Sequence, residues 1–132
     1  RPSMGKTTLA VNIAENTLKC LDKPPLKPFI DLPRMAALAQ EMTRDALDAF
    51  VRRDAVLARD VLRRDDVVDD LKDQVFRELL TYMMADPGTI ERALSLILIS
   101  RNLERVADHA TNIAEDVIFL VEAKDVRHHR AE

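Results

Sequence analysis

The chain has 132 residues, enough for one hydrophobic core of ordinary size and not for two. Its net charge is −3 with acids and bases interleaved, which leaves no basic face for nucleic acid through counterion release. Cys20 stands alone, which excludes an internal disulfide and fits a reducing, cytoplasmic compartment; the longest apolar run, near Leu96–Ile99, is far too short to cross a bilayer.

Two glycines, Gly5 and Gly88, with abundant charged and aliphatic residues, predict long helices and few turns. Residues 9–21 carry Leu9, Asn12-Ile13, Thr17 and Cys20-Leu21 at helical spacing and read as the end of a helix. The stretch Asp22–Pro28 breaks it, because its three prolines remove donors and disfavour helix in the residues before them. This is the expected domain boundary, with residues 1–24 a remnant of a preceding helix plus the linker start and residues 25–132 a second unit.

A helix then begins with Asp31 or Leu32 as cap and Pro33 in its first turn, where a missing N–H costs nothing. Met35, Leu38, Met42, Ala46, Ala49 and Phe50 mark one face through about Arg53. Asp54 caps the next helix, Ala55 to about Met84, whose apolar stripe is Leu57, Val61, Val68, Leu71, Val75, Leu79 and Met83. Asp86-Pro87-Gly88 ends it with turn chemistry. The last helix runs from Thr89 or Ile90 to about Val121 and carries Ala93, Leu96, Leu103, Val106, Ala110, Ile113, Val117 and Val121 at spacings of three and four. Three amphipathic helices joined by short connections predict an all-α, antiparallel three-helix bundle. Met35, Met42, Met83 and Met84 read mainly as core fillers, with Tyr82-Met83-Met84 also able to face a partner in part. His109 reads as a partner-bonded interface histidine, the alternative being support of a metal ligand, and the pairs Arg52-Arg53 and Arg63-Arg64 as solvated faces.

An internal echo supports a repeat. Ala10–Glu15, AVNIAE, returns as Ala110–Glu115, ATNIAE, with five of six residues matching at a shift of 100 positions. That distance is one domain's worth of chain, so the start looks like the last turns of one helical unit joined to a complete second copy.

Two acidic clusters stand out. Asp65, Asp66, Asp69, Asp70 and Asp73 crowd the middle helix where its apolar stripe skips a beat, the expected core position between Val61 and Val68 falling on Arg64 or Asp65. On the last helix Glu104 and Asp108 lie four apart; with Glu115 they fall within ~40° of one another, roughly opposite the Leu103/Val106/Ala110/Ile113 stripe. Stacked carboxylates repel unless a cation sits among them. Asp69 lies 17 residues before Asp86 and Glu104 17 after Pro87, so a hairpin brings the clusters level. All-carboxylate donors suit Mg²⁺, Mn²⁺ or Fe rather than a closed zinc site. The plainer reading is a pair of solvated faces balanced by Arg63, Arg64, Arg101 and Arg105.

The strings PLKPFIDLPRMA, RDALDAFVRRD, RDDVVDD, FRELLTYM, RNLERVADHATNIAEDVIFLVE and DVRHH, across Pro25–His129, resemble the second repeat of the PhoU family of phosphate-transport accessory proteins. The resemblance implies two similar three-helix bundles in the family, which accounts for the echo. It also implies Glu/Asp-x-x-x-Asp motifs that hold multinuclear metal ions, falling here on Asp65-x-x-x-Asp69 and Glu104-x-x-x-Asp108, with Asp66 and Asn112 as further members. The ions expected are Fe, Mn, Mg or Zn. A non-enzymatic negative regulator is implied, between the ATPase subunit of a phosphate ABC transporter and a sensor histidine kinase. The expected assembly is a homo-oligomer, a dimer, which meets the membrane only through its partners.

The start departs from that pattern. At the shift of 100, Glu104 and Asp108 correspond to Met4 and Thr8, so the first acid pair is missing. Instead Arg1–Thr8, RPSMGKTT, resembles the phosphate-binding loop of replicative DNA helicases, without the first glycine or preceding strand such a loop needs. Val117–Glu122, VIFLVE, mimics an ATPase strand but continues the register of the last helix. A P-loop ATPase fragment and a purely structural bundle are therefore the rival readings.

Overall fold

The structure, a computed structural model, describes residues 9–15 and 31–131. The phosphate-loop-like octapeptide, Cys20 and the proline-rich boundary lie outside the described residues. Residues 9–15 are helical, Leu9 is buried, and Ile13 packs against the core. Three long helices follow: α1 (Asp31–Arg52), α2 (Ala55–Ala85) and α3 (Ile90–Ala131). Each packs against both others. Their order is antiparallel, since moving down α2 from Lys72 to Arg59 moves the partner on α3 up from Glu104 to Glu122.

The core is built on seven-residue series. On α3, Leu96, Leu103, Ala110 and Val117 form one and Ala93, Ser100, Ala107 and Ala114 another, all buried. On α1 the series are Met35, Met42, Ala49 and Ala39, Ala46. Such spacing keeps a narrow seam turned toward the neighbours, as in a coiled coil, and the alanines let the backbones approach closely. On α2, Val61, Val68 and Val75 are buried, whereas the second series reads Ala58, Asp65, Lys72, Leu79. Its ends are core and its middle is charged. That is the skipped beat, and it places the polar seam.

The connections are short because capping is dense. α1 ends with Arg53 in the left-handed region at φ 55° and the Asp54 N–H donating to the Ala49 carbonyl at 2.9 Å, a helix stop of the Schellman kind. The Asp54 side chain then caps α2 by accepting from the Leu57 N–H at 3.1 Å. At the other end Pro87–Thr89 forms one 3₁₀ turn. The Gly88 N–H donates to Asp86 Oδ1 at 2.9 Å, and a Cβ on Gly88 would come within 3.2 Å of that oxygen. The buried Thr89 hydroxyl donates to the Tyr82 and Asp86 carbonyls.

Four sequence expectations are corrected. α1 starts at Asp31 itself, which is a buried helical residue rather than a cap. α3 continues to Ala131, ten residues past Val121; the apolar stripe stops there, but no glycine or proline ends the helix. Phe50 and Met84 are exposed, because Ala49 takes the inward place on α1 and, on α2, the neighbouring Met83 is the one packed against the core. Val106 and Ile113 are only half-buried, Ala107 and Ala114 occupying the seam instead. Among the described residues, no helix is long and apolar enough to cross a membrane.

Candidate functional site

The turn after α2 makes a hairpin in which residues equidistant from Gly88 face one another. Lys72 and Glu104 each lie 16 positions from it, and Lys72 Nζ meets Glu104 Oε2 at 2.5 Å. Asp69, one turn before Lys72, feels the charge of Glu104. Asp65, a further turn along, feels the charges of Asp108, Asp66 and Glu104. The two acidic clusters are therefore level across one helix–helix seam.

The electrostatics record crowding. Burial, then the charges of Asp108, Asp66 and Glu104, raise the Asp65 carboxyl above the usual aspartate range. Burial and the charge of Asp65 raise Asp69, with Lys72 pulling the other way. The hydrogen bond to Glu104 raises the Lys72 ammonium, the nearby Asp69 and Asp73 adding to it. One oxygen of Asp65, Oδ1, is buried and accepts no hydrogen bond. A buried carboxylate oxygen without a donor is costly, and a cation or a proton relieves that cost.

The five residues singled out from sequence do not share one environment. Asp65, Asp69 and Glu104 are half-buried on the seam; Asp66 and Asp108 are exposed at its edge, as is Asn112. Glu104 does not lie opposite the core stripe: Ser100, Ala107 and Thr111 widen the buried face, and Glu104 sits on its flank toward α2. As the side chains stand, no group of three His, Cys, Asp or Glu among the described residues is poised to hold a metal ion, and Glu104 pairs with the Lys72 ammonium instead. Lys72 escaped the sequence reading. Its signal was there, as the basic member of the Ala58, Asp65, Lys72, Leu79 series.

Arg64 does not balance Asp65. It bridges Asp45 on α1 at 2.6 Å and Asp60 on α2 at 2.5 Å, tying those helices together on the other side of α2. His109 and Arg101 are exposed.

Fold and site define the class, among the described residues, as an all-helical bundle whose distinctive chemistry is a seam of carboxylates between two helices. The domain family described as PhoU domain matches residues 32–117, and the chain belongs to the PhoU family. It is 43% identical over 119 residues to a phosphate-specific transport system accessory protein PhoU homolog of Aquifex aeolicus, covering 90% of this chain and 54% of that protein. Against the homolog of Pseudomonas aeruginosa the identity is 45% over 109 residues, covering 83% of this chain and 45% of that protein. The crystal structure of PhoU from Pseudomonas aeruginosa superposes with a TM-score of 0.83 at 40% identity, covering 88% of this chain and 56% of that one. The chain thus spans about half the length of the relatives it matches. Those relatives are named as accessory proteins, not enzymes, and the helicase-like reading of the opening octapeptide is not borne out by them.

Proposed function

We propose that the chain is part of a metal-binding, cytoplasmic adaptor of a phosphate-specific transport system that acts as a negative regulator, between the transporter ATPase subunit and a sensor histidine kinase. The observation that carries the metal reading is the Asp65–Asp69–Glu104 seam, with one buried carboxylate oxygen lacking a donor, in a chain of the PhoU family. The donor chemistry fits hard or borderline cations, Mg²⁺, Mn²⁺, Fe or Zn. Asp65, Asp69 and Glu104 would hold the ions, with Asp66 and Asp108 at the edge completing a multinuclear set. Bound ions supply positive charge that neutralises carboxylate repulsion across the seam. Lys72 holds Glu104 toward α2 and supplies a counter-charge of its own. Partner proteins then read the bundle surface, and a dimer is the expected assembly.

Elemental analysis of protein purified without chelator tests the metal, and retention of the kinase and the transporter ATPase in pull-downs, with and without added metal, tests the role. Metal bound by the wild type and lost in Asp69→Ala and Glu104→Ala supports the reading. Metal-free protein whose stability those substitutions leave unchanged overturns it. The rival, a structural bundle whose acids confer solubility, is favoured by the Lys72–Glu104 pair, which already gives the seam a cation. That rival stands if neither metal nor partner is retained.

A further inference from the structure

The end of the bundle farthest from the Gly88 turn carries a cluster of cations, in contrast to the acidic seam. There α1 stops at Arg52 while α3 runs on to Ala131, so α3 lies along the α1–α2 connection. An open cavity of about 740 Å³ forms between them, lined by Arg53 and by Leu120, Val121, Lys124 and Arg127 of α3. Among the described residues that line it, the charged ones are Arg53, Lys124 and Arg127, with Asp125 as their acidic neighbour. The walls are apolar: Leu120 is 44% exposed and Val121 half-buried. Exposed Phe50, Val51 and Phe119 lie close by in sequence.

Arg53 marks the spot in a second way. It occupies the left-handed C-terminal position of α1, where glycine is the usual residue and a side chain costs backbone strain. Its guanidinium lies 4.8 Å from the centre of the Phe50 ring, which holds the charge at the cavity mouth rather than loose in solvent. On α3, Leu120, Lys124 and Arg127 recur at spacings of four and three and so share a face. The cavity therefore offers an apolar trough with cations from two elements.

The geometry points to this cavity as the docking site of an acidic amphipathic segment of a partner protein. Aliphatic side chains would fill the trough and carboxylates would meet Arg53, Lys124 and Arg127. Charge complementarity selects the occupant, since a basic segment would be repelled here and drawn to the acidic seam instead. A concave trough fits a helix or short peptide better than a flat lipid surface does. This surface is separate from the carboxylate seam and does not depend on metal there.

Fluorescence anisotropy on the whole chain tests it. The probe is a fluorescein-labelled amphipathic peptide of roughly 15 residues, long enough to form helix when bound, made of leucine, alanine and glutamate. The lysine-for-glutamate version is the control. Binding of the acidic peptide that weakens with salt, and falls about tenfold or more in the double variant Lys124→Glu/Arg127→Glu, is the expected result. Glu41→Gln, an exposed change on α1 outside the cavity lining, leaves it unchanged. Both reversed positions are exposed, and an unaltered circular dichroism melt confirms the fold. The proposal is overturned if the wild type does not bind the acidic peptide, if the double variant binds equally well, or if anionic phosphatidylglycerol vesicles are retained while the peptide is not. Metal content read on the same protein tells failure here apart from failure of the seam.

Discussion

Asp54 shows how much one residue can do in a tight connection. Its backbone N–H closes α1 by bonding the Ala49 carbonyl, and its carboxylate opens α2 by accepting from Leu57. Asp54→Ala keeps the first bond and loses the second, so a loss of about 1 kcal/mol is expected in urea unfolding. Asp65 and Asp69 pose the reverse case, since ionising them costs the folded state. Their folded pKa values lie above those of an unfolded aspartate, about 4. The stability they contribute is therefore complete below that pH and is lost as pH rises through their raised values. Asp65→Asn should remove part of this loss, leaving the variant more stable than wild type at pH 7 and the gap closing toward pH 4. Urea midpoints at both pH values check it, and a less stable variant at pH 7 would refute the assignment.

Among the elements, the α1 interface and the α2–α3 seam respond to different changes. Apart from the Asp45–Arg64 ion pair, α1 is held by shape: Met35 and Met42 are fully buried, and alanines fill the remaining inward places. Met42→Ala leaves a void that close backbones cannot collapse, and a loss of about 2–5 kcal/mol follows, measured by denaturant unfolding. The seam is held by charge at its middle. Lys72→Met removes the cation from among Asp69, Asp73 and Glu104. Because the pair is partly exposed, the loss at neutral pH stays within about 1 kcal/mol. If the seam takes ions, millimolar Mg²⁺ or Mn²⁺ restores the variant more than it helps the wild type, which a thermal melt with and without metal would show.

At the scale of the whole molecule, charge is partitioned along the bundle. Carboxylates gather midway along the α2–α3 hairpin, while Arg53, Lys124 and Arg127 line the far end. A net charge of −3 conceals this division. A metal that binds the folded chain and not the unfolded one should raise its stability by about 2.7 kcal/mol at a hundredfold excess over the dissociation constant. Calorimetric melts across a metal titration read that shift. In Asp69→Ala/Glu104→Ala the shift should vanish.

The sequence by itself determined the local structure: three helices, the Asp54 cap, the Asp86–Gly88 turn and, to within about one helical turn, the level at which the α2 acids approach Glu104, the position directly opposite it being Lys72. Each follows from periodicity, capping chemistry or distance from a turn, all of which are properties of neighbouring residues. Only the tertiary structure decided which face each helix turns to which neighbour. That choice sent Lys72 to Glu104, took Arg64 away to Asp45 and Asp60, and made alanines rather than Val106 and Ile113 the inner seam of α3. It also formed the basic cavity, whose walls come from residues 53 and 120–127. A helical pattern says how wide the apolar stripe is, but packing three cylinders together settles where its edges fall, and the charged chemistry of this chain lies on those edges.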